Sequence, residues 1–231
     1  MMSDWLSFWD KPHSIYVNAR HKDAHYRLIA DEIAARVPAA DAHVLDYGCG
    51  EALHADRVAA ACGELLLSDG APAVRASIAA RFAGNAKIRT LSADEVARLP
   101  DGGLDFIVLH SVAQYLAPEQ TLALLILFRR LLRADGVLLV SDVIPPQVTP
   151  WTDAAALLRF GAADGFLLGA LCGLARTLFS DYRRLRARVG LTHYSESAMV
   201  EALKAAGFEA HRADKNIGHN PARMAFVARP R

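Results

Sequence analysis

Two carboxylates and two glycines are the residues of this chain best arranged to do chemistry. Asp46 ends the apolar run Val44-Leu45 and is followed by Gly48 and Gly50. Asp69 closes the next apolar run, which begins at Leu65. Glycine has no Cβ, so a ligand can come close to bare backbone at such a turn. The helix after the turn aims its unpaired N–H groups at the same place. An acid at the second strand end, about twenty residues further on, is where α/β nucleotide sites hold a ribose. A carboxylate can accept both hydroxyls of a vicinal diol, and charge-assisted hydrogen bonds are the strong ones. These features describe an adenosine-binding crevice.

The spacing narrows the kind of crevice. A dinucleotide turn needs a third glycine, G-x-G-x-x-G. Leu53 occupies that position, which disfavours a pyrophosphate turn and a nicotinamide oxidoreductase. The stretch VLDYGCGEA from Val44 to Ala52 instead resembles motif I of the class I S-adenosylmethionine-dependent methyltransferases, hydrophobic-hydrophobic-D-x-G-x-G-x-G, with Ala52 in place of the last glycine. DGGLDFIVLHSVAQYL (101–116) is similar to that family's fourth-strand motif, and LLRADGVLLVSDV (131–143) to its fifth. SESAMVEALKAAGFEA (195–210) looks like the approach to strand six, so the resemblance spans 43–146 and 195–229.

The resemblance implies S-adenosylmethionine as cofactor. Asp46 would lie near its methionine amino group, Asp69 on the ribose and Asp94 on the adenine amino group. Gly70 replaces a larger residue that packs on adenine in many members. An N-terminal helix closes the site in similar methyltransferases, which places Tyr16, Arg20, His21 and Tyr26 near it, Tyr26 on the cofactor and Tyr16 on the acceptor. Strand seven would run antiparallel in a seven-stranded sheet. The insertion at 150–194 lies where many members carry a substrate cap.

The elements that must position these residues alternate strand with helix, as in a mostly parallel, doubly wound α/β sheet of Rossmann-like type. Strands are expected at 43–47, 64–68, 87–91, 104–110 and 137–143, with two more at 208–213 and 223–229. Helices are expected at 22–37, 52–62, 72–82, 118–133 and 196–206, with a short one from 93. Residues 1–21 read as aromatic-rich and irregular. Residues 150–194 contain no strand signal and read as two apolar helices, roughly 152–161 and 164–189. The whole chain, 1–231, is expected to form one domain: an N-terminal lid (1–40), a cofactor-binding core (41–146), the helical cap and a C-terminal part (195–231).

His110, just past the fourth strand, is a candidate contact to the cofactor or general base, since an imidazole titrates near pH 6.5. A hydrogen-bonded structural histidine fits the sequence equally well. His21 is a second candidate base. His21 and His25 are also spaced i,i+4, as two metal ligands on one helix face would be. No Glu-x-x-His pattern or cysteine ligand supports a metal. In the cap, Phe166 and Leu171 belong to an apolar stripe that precedes Arg183, Arg184, Arg186 and Arg188. That stripe could wall an apolar acceptor pocket, lie on a membrane surface, or pack on the core or a second subunit as a homodimer contact.

Composition sets the remaining bounds. The 231 residues are 53% apolar and 22% charged, which is globular, and carry a net charge of +1, which argues against a nucleic-acid binder. The three cysteines suit neither a disulfide frame nor a zinc site. No signal peptide or membrane span is visible, so a cytoplasmic protein is expected. The expected activity is methyl transfer to a small, apolar or lipid-like metabolite, with a non-catalytic cofactor-binding protein as the alternative.

Overall fold

A computed structural model of the chain describes residues 2–10, 16–177 and 189–231. Leucine and valine alternate in direction along the central strands, and each direction finds its own helical layer. Val44, Leu65, Phe106, Val108 and Leu139 point to one layer. There they meet Ile33 of α2 (Ala19–Ala34), Val58 of α3 (Ala55–Ala61) and Ile78 of α4 (Pro72–Arg81). Leu45, Leu66, Ile107, Leu138 and Val140 point the other way. They meet Val96 of α5 (Ala93–Ala97), Phe128 of α6 (Pro118–Leu131) and Met199 and Leu203 of α9 (Glu196–Ala205).

The strands are β1 (His43–Tyr47), β2 (Glu64–Ser68), β3 (Ile88–Leu91), β4 (Leu104–His110), β5 (Leu132–Val143), β6 (Phe208–Arg212) and β7 (Met224–Pro230). They form one seven-stranded sheet in the order β3-β2-β1-β4-β5-β7-β6. β1 to β5 are parallel, and β7 runs antiparallel to both β5 and β6. The order reverses between β1 and β4, the switch point at whose carboxyl edge open α/β sheets bind ligands. Asp46 pairs across to Val108 there, and His110 to Ser141 one strand further.

Several boundaries differ from the sequence reading. Residues expected to be irregular form α1 (Met2–Trp9). α2 starts at Ala19 rather than 22, because the Asn18 side chain accepts from the His21 N–H at 2.8 Å and caps it. The helix expected from Ala52 begins at Ala55, since Ala52 itself adopts φ +45° and prolongs the turn. Asp135 and Gly136, which fall between the expected helix and strand, lie inside β5.

The insertion forms α7 (Pro150–Ala163) and α8 (Leu167–Thr177). The four arginines at 183–188 lie outside the described residues. The inner face of this pair, with Phe160, Phe166 and Ala170, packs against Ala24, Val17 and Leu28. A Cβ on Gly173 would sit 2.0 Å from the Val17 side chain, so glycine there permits the close approach. The outer face exposes Leu168 (79%), and Trp151 at the head of α7 is 85% exposed. Among the described residues no helix is long and apolar enough to cross a membrane.

Candidate functional site

The turn after β1 is built by backbone geometry that its residue types permit. Gly48 and Gly50 lie at φ +79° and +57°, where a Cβ is strained. The Gly50 N–H donates to Asp69 Oδ2 at 3.0 Å, and the Ala71 N–H donates to Oδ1 at 2.8 Å. Asp69 thus ties the β1 turn to the β2 turn while facing the cavity. Its carboxyl is raised from the ordinary value, chiefly by burial and against the pull of those two N–H groups. Asp46 lines the same cavity, and burial first and Asp69 second push its carboxyl up to about 7. No described residue hydrogen-bonds to the Asp46 carboxylate.

The N-terminal helices close this turn from above. The Tyr26 hydroxyl accepts from the Glu51 N–H at 2.9 Å, and burial pushes that phenol up to about 12. His54 bonds Asp23 at 2.8 Å, and Lys22 pairs with Glu51. From α1, Leu6 covers Gly70 so closely that a Cβ there would lie 2.3 Å from Leu6 Cδ2. Trp5 and Trp9 stand against Tyr115, with ring centroids 4.7 and 5.7 Å apart.

Beneath this cover is a cavity of about 790 Å³. Asp46, Gly48, Gly50, Asp69 and Gly70 share it with Tyr16, His21, Tyr26 and His110, so most of the sequence candidates converge. Asp94 does not join them. It lies exposed on α5, in a shallow surface depression with Arg89 and Arg98, and Ala93 is the α5 residue at the cavity wall. Phe166 and Leu171 also fall outside the lining. Phe166 is buried behind the wall, stacked on His21 with centroids 4.9 Å apart, and Leu171 is 49% exposed on the outer face. The described helices of the cap, α7 and α8, back the wall, with Phe160, Phe166 and Ala170 packed against α2 and the segment before it.

Other residues are not singled out for this site by the sequence, His25 being marked only by its i,i+4 spacing to His21. His25, Ser111, Gln114, Asp142, His219 and Arg223 all face the cavity. Ser111 and Asp142 end β4 and β5 at φ +59° each, and the Ser111 hydroxyl donates to Asp142 Oδ2 at 2.8 Å. Backbone held in that region by non-glycine residues concentrates at functional sites. The loop before β7 delivers His219, and its anchors are long-range. Asn216 Oδ1 accepts from the Asp142 N–H at 2.8 Å, and Arg223 grips both oxygens of Asp153 on α7 at 2.9 Å each. Contacts across 70 residues of sequence leave no local signature. His219 stacks on Phe160 of α7 with centroids 4.9 Å apart.

The imidazoles of this wall are all held neutral. Burial lowers His21 to about 4, with His219 adding to the shift. It lowers His25 well below its usual value and also lowers His110 and His219. His110 Nδ1 lies 2.9 Å from the Ser141 hydroxyl. Among the described residues no three His, Cys, Asp or Glu converge as metal ligands.

Residues 44–136 match the family described as methyltransferase domain. No curated relative matches the sequence. The fold is similar to that of DhpI in complex with SAH, at 13% identity and a TM-score of 0.63, covering 99% of this chain and 96% of that one. It is similar to a Leishmania major SAM-dependent methyltransferase, at 12% identity and a TM-score of 0.62, covering 98% of this chain and 82% of that one. It is also similar to PigF with SAH, at 21% identity and a TM-score of 0.57, covering 85% of this chain and 53% of that one. The matched segment carries β1, the glycine turn and Asp69, and the seven-stranded sheet with its antiparallel seventh strand and helices on both faces is the fold shared with these structures.

Proposed function

We propose that the chain is a class I methyltransferase that uses S-adenosylmethionine and transfers its methyl group to a small, largely apolar acceptor held in the same cavity. Asp46 carries the reading. It is a carboxylate walled in by protein, with no hydrogen-bond partner among the described residues, beside a second carboxylate at a glycine turn. Ionising this carboxyl without a partner is unfavourable, which is why it is held near 7, so the site is complementary to a ligand that brings positive charge. An amino group and a sulfonium supply it, and a ribose diol suits Asp69. Each Asp69 oxygen accepts one backbone N–H and keeps a further lone pair.

The protein's contribution to the reaction is alignment and exclusion of water. In-line displacement loses charge at sulfur as the new bond forms, so a dry cavity favours it. Orientation alone can supply roughly 7–11 kcal/mol of the barrier. Tyr26, Leu6 and Trp5 cover the turn and keep it dry. The rest of the described wall is largely aromatic, with Asp142 bonded to Ser111 and Arg223 to Asp153, which supports a largely apolar acceptor.

Calorimetry with S-adenosylhomocysteine tests the reading. One site per chain is expected, with no heat from NADH. NADH binding without adenosylhomocysteine binding would overturn it.

A further inference from the structure

Gly70 follows Asp69, and its backbone is not left-handed, so no turn demands a glycine there. Space demands it instead. The three heavy atoms nearest to a Cβ at this position, outside its chain neighbours, all belong to Leu6 of α1, at 2.3, 3.7 and 4.0 Å. A side chain from the N-terminal helix therefore occupies the room that a side chain on residue 70 would take.

α1 is fastened to hold Leu6 in that room. Asp10 follows the helix, and its Oδ1 accepts from the Ala73 N–H at 2.8 Å. This bond gives α4 a side-chain cap that its own N-cap residue, Ala71, does not supply. On the other side, Trp5 is buried and stands with Trp9 against Tyr115.

Leu6, Gly70 and Ala93 line one cavity with Asp46 and Asp69. The sheet order says which part of a ligand meets them. Asp46 lies near the end of β1, Asp69 follows β2 and Ala93 opens the helix after β3, and these strands lie side by side toward the sheet edge. A ribose on Asp69 with its sulfur-bearing arm toward Asp46 leaves its base on the β3 side, beside Gly70 and Ala93. Neither of these residues offers much apolar surface to the face of a ring. Leu6 does.

Resting on the methyltransferase reading, we propose that Leu6 of α1, and not residue 70, packs on the adenine of the cofactor, with Gly70 as the socket that admits it. The contact is apolar and undirected, and it removes the ring face and the leucine methyls from water together. Its source has a consequence for binding. Cofactor affinity depends on the docking of a helix outside the sheet, which a side chain on residue 70 would not require.

The test measures adenosylhomocysteine and 5′-methylthioadenosine, which share base and ribose, by calorimetry on the full chain. Leu6→Ala should weaken both by about fivefold or more and by the same factor, since the lost contact is to the shared base. Leu6→Met, which keeps an apolar side chain of similar volume, should stay within about twofold. Adding Gly70→Leu to Leu6→Ala should restore both affinities to within about twofold of the unmodified protein, because a side chain then rises from residue 70 into the room that Leu6 vacated. Unchanged affinity in Leu6→Ala, a loss confined to adenosylhomocysteine, or no recovery in the double variant overturns the assignment while leaving the cofactor reading in place. If neither ligand binds the unmodified protein, the cofactor reading falls and this assignment falls with it.

Discussion

At the scale of single residues, Asp69 is the member of the site whose removal reads most directly. Asp69→Ala would orphan the Gly50 and Ala71 N–H groups as well as delete the diol acceptor. Hydrogen bonds to charged groups are worth roughly 1.5–3 kcal/mol, so adenosylhomocysteine should bind roughly 10- to 150-fold more weakly in calorimetry. Unchanged affinity in a folded variant would remove Asp69 from the site. Asp46 gives the pH dependence. With its carboxyl near 7 in the free protein, it is protonated at pH 5.5 and ionised at pH 8. A ligand amino group needs the ionised form, so affinity should rise with pH through about 7, and Asp46→Asn should flatten that profile. Ala52 gives a stability test. The sequence marks it as a departure from the glycine pattern, yet its backbone keeps the glycine-like φ of +45°. Left-handed backbone costs a non-glycine residue roughly 1–2 kcal/mol, while glycine's extra chain entropy costs roughly 0.5–1 kcal/mol. Ala52→Gly should therefore leave the urea midpoint unchanged or higher, opposite to the usual direction for this substitution.

At the scale of elements, the described helices of the cap back one wall of the cavity. Phe166 backs His21, Phe160 backs His219, and Asp153 holds the loop that carries His219. Phe166→Ala should then destabilise the fold by roughly 3 kcal/mol, at the lower end for core phenylalanines because the cluster is small. Leu171→Ala, at 49% exposure, should stay within about 0.5 kcal/mol. Equal losses for the two in chemical denaturation would mean that the outer face of α8 is covered in solution. The strands and the glycine turn were legible in the sequence because their signals are local: an apolar run, an acid, two glycines. They place Asp46 and Asp69 together, whereas Tyr26 over the turn was expected only from the family resemblance. The cap's role was not legible, since an apolar stripe such as Phe166 to Leu171 states that a face is buried and is silent about what buries it. His219 was invisible for a related reason. It reaches the cavity through Asn216 to Asp142 and Arg223 to Asp153, contacts that no spacing along the chain encodes.

For the whole molecule, the consequence of gathering neutral imidazoles inside the fold is acid sensitivity, and its sign can be worked out. His21 is lowered from 6.5 to about 4, and His25, His110 and His219 are lowered too, all chiefly by burial. In the unfolded chain these rings take up protons below pH 6.5, and in the fold burial opposes that uptake, for His21 down to about 4. Stability from this source is complete above about 6.5 and is lost as pH falls toward about 4. Asp46 and Asp69 act in the opposite sense, because their carboxyls are raised by the fold and bind protons there that the unfolded chain does not hold. Four histidines outweigh two carboxylates across that window. Unfolding at pH 5 should accordingly take up protons, on the order of two per chain, and the urea midpoint should be lower at pH 5 than at pH 7. Adenosylhomocysteine should widen the gap, since it binds the fold more tightly where Asp46 is ionised and stabilises it in proportion to that binding. Net proton release on unfolding at pH 5 would show that the histidine wall is open to water, and with it would go the dry acceptor site on which the choice of substrate depends.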